Sequence, residues 1–108
     1  MTEQEIQLIR YFKNLLARRL KDFQVIVFGS RARGDADEQS DLDVLVITQE
    51  PETDELVLLV SGCAWEASMD LGSDIIINTV VMSKKEWETG PERYSLLALA
   101  VKKEGIPV

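Results

Sequence analysis

A glycine-serine pair, Gly29-Ser30, and an Asp-x-Asp pair, Asp41-Leu42-Asp43, stand in this chain with ten residues between them. Each pair has what the other's chemistry needs. A tight glycine turn offers backbone N–H groups and a hydroxyl to a phosphate, and two carboxylates two apart in a strand share a face and can hold a divalent cation between them. Mg²⁺ suits that cage because it takes oxygen ligands and keeps several waters. A phosphate cradle beside a cation site implies phosphoryl or nucleotidyl transfer. Asp74 supplies a candidate third carboxylate, able to reach the same metal or to take a proton from an attacking hydroxyl, and one or two Mg²⁺ would offset the three charges. Asp70 is its rival, but a helix end beside Gly72 suits a surface role better. Arg31 and Arg33 flank the glycine turn, where a guanidinium can neutralise phosphate oxygens or hold the acidic loop at Asp35 and Asp37. Arg33 is the phosphate candidate of this reading.

The elements that position these residues follow from periodicity. Ile6, Ile9, Phe12, Leu16, Leu20 and Phe23 recur at spacings of three and four, which predicts an amphipathic helix over residues 3–21. Gln24 to Phe28 reads as a buried strand closed by Gly29, with Ser30 to Arg33 opening a helical turn. Gly34 and the polar run Asp35 to Ser40 form a loop, and Leu42 to Thr48 is the second strand. A helix over 51–71 carries Leu56, Val60, Cys63, Ala67 and Leu71 as its buried stripe, with Pro51 in its first turn and Gly72 as its cap. The third strand is expected from Asp74 through Met82. Ser83-Lys84-Lys85-Glu86 is a capping-box pattern for a short helix that Gly90-Pro91 ends, and residues 92–104 form the last helix, stopped at Gly105. The second and third strands, joined by a helix, should be parallel; the first, joined to the second by a loop, should be antiparallel to it. The expected fold class is α/β (α+β): a small mixed β-sheet with helices packed on it, in one domain over 1–108.

Composition excludes several alternatives. The 108 residues contain no histidine and one cysteine, which removes Ser-His and Cys-His nucleophiles, any intrachain disulfide and an ordinary zinc site. Cys63 reads as helix core. A net charge of −7 argues against stable nucleic-acid binding. Residues 1–33 carry seven basic groups against three acidic ones, so the rest of the chain stands at −11, and the plain reading of the basic segment is a solvated helix face. No apolar run approaches the ~18 residues of a membrane span, and the acidic start is wrong for a signal peptide, so the expectation is a soluble, cytoplasmic protein without membrane contact. A calcium loop over Asp35 to Val46 fails, with Ser40 at the glycine position and Val46 at the glutamate position; a Walker loop fails because no Gly-Lys-Ser/Thr follows Gly29. Trp65, Trp87 and Tyr94 lack interleaved basic residues and suit core or interface packing rather than base stacking.

Gly29-Ser30-Arg31-Ala32-Arg33-Gly34 followed by Ser40-Asp41-Leu42-Asp43-Val44-Leu45-Val46 resembles the signature of the DNA polymerase β-like nucleotidyltransferase superfamily. Within it, the chain is similar to the minimal nucleotidyltransferases, or MNT proteins, many of which are antitoxins paired with HEPN-domain toxins. The resemblance implies that Gly29 and Ser30 hold a nucleoside triphosphate, that Asp41 and Asp43 bind Mg²⁺, and that Asp74 is the third acid. It further implies transfer of NMP, typically AMP from ATP, to a hydroxyl acceptor, with pyrophosphate released; for the antitoxins the acceptor is a tyrosine of the toxin. Larger relatives add a helical domain with acceptor contacts, and this sequence has no room for one, so the acceptor surface is expected from another chain. A non-catalytic antitoxin that covers its partner, and an enzyme acting on a small hydroxylated molecule as a homodimer, remain open alternatives.

Overall fold

The computed structural model describes residues 1–91 and 95–108. Thr2 opens the first helix, α1 (Glu3–Ala17), through a capping box: its hydroxyl accepts from the Glu5 N–H at 3.1 Å, and the Glu5 carboxylate accepts from the Thr2 N–H at 2.6 Å. Leu8, Ile9, Phe12, Leu15 and Leu16 are its buried stripe. The helix stops four residues before the predicted end, at Ala17, because the chain must turn over Arg18 to Lys21 to enter β1 (Phe23–Phe28); Leu20 still packs on the core. After β1 come the short helix α2 (Gly29–Arg33), β2 (Leu42–Thr48), α3 (Asp54–Asp70), β3 (Ile77–Ser83), α4 (Lys84–Thr89), α5 (Leu96–Glu104) and β4 (Ile106–Pro107).

The four strands form one mixed sheet in the order β3-β2-β1-β4. β1 and β2 are antiparallel and β2 and β3 parallel, as their connections require, while β4 adds to the far side of β1. That last strand was not predicted, since two residues carry no periodicity; it is fastened further by the Val108 N–H to the Val25 carbonyl at 3.0 Å. One sheet face, with Val25, Val27, Leu42, Val44 and Val46, packs under α1 and α3. The other, with Leu45, Ile47 and Met82, packs against Val101 of α5, with Trp87 of α4 alongside. Each Leu, Val or Phe fully buried in these layers contributes about 1.5–3 kcal/mol. β2 supplies both, which is why its apolar run is nearly continuous.

Further boundaries also differ from expectation. α3 begins at Asp54, where the Thr53 hydroxyl caps the Leu56 N–H at 3.1 Å, so Pro51 lies in the preceding loop; its stripe is buried at Val60, Cys63 and Ala67, whereas Leu71 is exposed. Gly72, at φ +60°, turns the chain out of the helix. β3 begins at Ile77 rather than Asp74, because residues 73–75 are bound back to α3: the Ser73 N–H donates to the Ser68 carbonyl, and the Ser68 hydroxyl donates to the Ile75 carbonyl. α5 begins at Leu96, capped by Ser95, and the part of the predicted helix over 92–94, including Tyr94, lies outside the described residues. No helix among the described residues is long and apolar enough to cross a membrane.

Candidate active site

Antiparallel pairing sets the end of β1 beside the start of β2, with Phe28 opposite Asp43. The two sequence motifs therefore close onto each other. Gly29 turns the chain at φ +80°, and a Cβ built there would collide with the Asp43 carboxylate, chiefly with Oδ2. Only glycine satisfies both demands, since a left-handed backbone disfavours any side chain and this one has nowhere to go. The first N–H groups of α2 have no acceptor within the helix, and Gly34, at φ +84°, ends it with its N–H on the Ser30 carbonyl. Asp41 precedes β2 by one residue and is exposed; Asp43 is half-buried, and strand alternation puts both carboxylates on the face of Leu45 and Ile47.

What holds the intervening loop is a buried ion pair. The Arg31 guanidinium is buried and donates from Nη1 to Glu5 Oε2 at 2.9 Å, from Nε to the Ser40 carbonyl at 2.7 Å, and from Nη2 to the Glu38 carbonyl at 3.3 Å. Burial pushes the Glu5 carboxyl up, but the hydrogen bonds from Arg31 and Thr2 outweigh it and leave the group below the ordinary carboxylate value. Arg31 thus takes the loop-holding role and fixes the carbonyl next to Asp41. Arg33, the phosphate candidate, is half-exposed and shared between Asp35, at 3.2 Å, and Glu104 of α5, at 3.0 Å; the Asp35 hydrogen bond leads in raising its pKa.

Asp74 does not join the aspartate pair. It is exposed, lies three residues before β3, and no group of three or more His, Cys, Asp or Glu side chains among the described residues is arranged to hold a metal. The residue facing Asp43 across the parallel ladder is Asn78, whose Nδ2 donates to Asp43 Oδ1 at 3.0 Å. The signal for it was an amide in the middle of the apolar run Ile75 to Val81. Asp70 accepts from the Tyr11 hydroxyl at 2.7 Å, the surface role expected of it, and that bond leads in raising the Tyr11 pKa. The donor set at Asp41, exposed, and Asp43, half-buried, is all hard oxygen and next to a turn that leaves no room for a Cβ, and it would suit Mg²⁺. Beside Asn78 a cavity of about 390 Å³ runs between α3 and β3, lined by Trp65 and Met69. Trp65, Met69 and Ile76 there, and Leu58 farther along α3, are all more than 60 % exposed, so Trp65 is not core.

The model of the nucleotidyltransferase domain family matches residues 9–102. A Methanocaldococcus jannaschii protein named as a protein adenylyltransferase is 38% identical over 81 residues, covering 73% of this chain and 80% of that protein. Among solved structures, a toxin-antitoxin complex with AMP-PNP superposes with a TM-score of 0.56 at 18% identity, over 99% of this chain and 72% of its own. A tri-AMPylated HEPN toxin from Shewanella oneidensis in complex with an MNT antitoxin gives 0.55 at 16% identity, over 96% and 70%. A Sulfolobus solfataricus protein described as a nucleotidyltransferase gives 0.54 at 20% identity, over 99% and 87%. At these identities the structural likeness speaks for the fold.

Proposed function

The chain belongs to the nucleotidyltransferase domain family, and from that premise we propose that it is an Mg²⁺-dependent enzyme moving AMP from ATP to a tyrosine hydroxyl of a HEPN-type toxin, and so an antitoxin. The observation that supports this reading is the close approach of the Gly29 turn to the Asp43 carboxylate, whose Oδ2 fills the space that a Cβ on residue 29 would need. In it, Gly29 and Ser30 cradle the triphosphate, Asp41 and Asp43 hold Mg²⁺, and Arg33 leaves Asp35 and Glu104 for phosphate oxygens. Bound there, Mg²⁺ supplies neutralisation of phosphate charge. The acceptor oxygen attacks the α-phosphorus in line, the bond to the β-phosphate oxygen breaks, pyrophosphate leaves, and the acceptor proton passes to water. Residues 1–108 act as one minimal domain. The curated relative's name supports the protein acceptor, and the structural neighbours support the HEPN partner.

Incubating the chain with labelled ATP, Mg²⁺ and its HEPN-type partner should label the partner, and Asp41→Asn or Asp43→Asn should cut the rate at least ~100-fold, the loss expected when a cation clamp on the transferred phosphate goes. No label in an intact wild-type complex would sink the reading. The exposed apolar set Leu58, Trp65, Met69 and Ile76 favours one alternative, an antitoxin acting by cover alone. Under that alternative both aspartate variants would still neutralise the toxin.

A further inference from the structure

We propose that Asn78, and not Asp74, is the third functional residue of this site, a positioning residue that clamps Asp43 and leaves a two-carboxylate centre for a single divalent cation. The inference rests on the nucleotidyltransferase reading and goes beyond it, since the aspartate pair alone does not say what orients it or how many cations it takes. Two observations place the Asp43 carboxylate. Oδ1 accepts from the Asn78 amide at 3.0 Å, and Oδ2 stands where a Cβ on residue 29 would fall. One oxygen is therefore held by β3, and the other is aimed at the phosphate cradle.

The clamp is built into the ladder. Asp43 and Asn78 are direct partners in the parallel register, flanked by Leu42 opposite Ile77 and Val44 opposite Thr79, so backbone hydrogen bonds set the distance between them. An aspartate at position 78 would put a like charge against Oδ1 and remove its donor, and a cation would then be needed to hold the two together. With an amide there, Asp41 and Asp43 bring a formal charge of −2, which one divalent cation neutralises. Asp74 is bound up with the α3 end of the chain, upstream of the ladder. A hydrogen bond to a carboxylate ligand restrains its rotamer, and losing such a bond commonly costs 10- to 100-fold in metal affinity.

The test is Mn²⁺ titration of the full chain, with free Mn²⁺ read by electron paramagnetic resonance, in the presence of a non-hydrolysable ATP analogue. Wild type should bind one Mn²⁺. Asn78→Ala should weaken binding by about tenfold with an unchanged thermal midpoint in the metal-free protein, and should lower kcat while leaving KM for ATP near its wild-type value. Asp74→Asn should bind as wild type. Asn78→Asp should lower the metal-free midpoint, with Mn²⁺ restoring it, and should raise the count to two ions. Wild-type affinity in Asn78→Ala, weakened binding in Asp74→Asn, or two ions on the wild-type chain would each overturn the assignment while leaving the nucleotidyltransferase reading standing. A wild-type chain that binds no cation with the analogue present would overturn both.

Discussion

Replacing Glu5 with glutamine changes one atom type at a buried position and tests how the catalytic loop is held. The two carboxylate oxygens serve two donors: Oε1 takes the Thr2 N–H at 2.6 Å and Oε2 takes Arg31 Nη1 at 2.9 Å. A glutamine has one acceptor oxygen and turns an NH₂ toward the other donor. If the oxygen stays on Thr2, the Arg31 guanidinium loses its only carboxylate among the described contacts and faces a repelling amide. A charge-assisted hydrogen bond contributes about 1.5–3 kcal/mol, and breaking a buried pair costs up to about 3–5. Arg31 keeps the Ser40 and Glu38 carbonyls, so the lower part of that span applies, and Glu5→Gln should destabilise by about 2 kcal/mol. With a urea slope of about 1–3 kcal/mol per molar, the denaturation midpoint should drop by roughly 1 M. The folded Glu5 pKa is lowered from its ordinary 4.5. Its contribution is therefore fully present above about pH 4.5 and is lost as pH falls through the folded value, so the wild-type advantage over Glu5→Gln should shrink on acidification below about pH 4.5. A difference under about 0.5 kcal/mol at pH 7, the size of an ordinary surface change, would refute the reasoning. So would one that does not change on acidification.

Gly29→Ala should lose activity out of proportion to stability: the left-handed backbone costs about 1–2 kcal/mol, but the new methyl also drives the Asp43 carboxylate off its position. Urea midpoints alongside AMP-transfer rates separate the two, and a variant with wild-type transfer would contradict the cradle. Arg33→Ala should raise KM for ATP several-fold with a melting temperature near wild type, since solvent screens its pairs with Asp35 and Glu104. A large loss of thermal stability with KM unchanged would make Arg33 a structural strut instead.

The sequence carried the aspartate pair and the glycine turn because both depend on local rules. A connection without a full crossover helix favours antiparallel β1 and β2, and that pairing brings Gly29 to Asp43. Asp74 falls outside β3 because a strand starts where its neighbour's hydrogen bonds begin, and the Ser68 hydroxyl and the Ser73 N–H spend this segment's backbone groups on α3. Asn78 stayed hidden for the complementary reason: asparagine is disfavoured in strands, and nothing within the sequence tells that its partner in register is Asp43. The Glu5 to Arg31 pair joins residues 26 apart, and two charges in separate elements leave no periodic trace. Glu5 also fits a capping box completely, which gave no hint of a second partner.

The last strand has a bearing on how the protein is made. Ile106 and Pro107 pair with β1, the Val108 N–H bonds Val25, and Lys13 donates to the Val108 carbonyl at 2.7 Å. This stitch between distant parts of the chain lays α5 along the sheet and delivers Glu104 to Arg33. A nascent chain that already contains Gly29, Asp41, Asp43 and Asn78 therefore lacks this fastening of the helix until Ile106 to Val108 have been added. Arg33, translated early, thus meets a partner translated 71 codons later, so deleting Ile106 to Val108 should free α5 and loosen that pair.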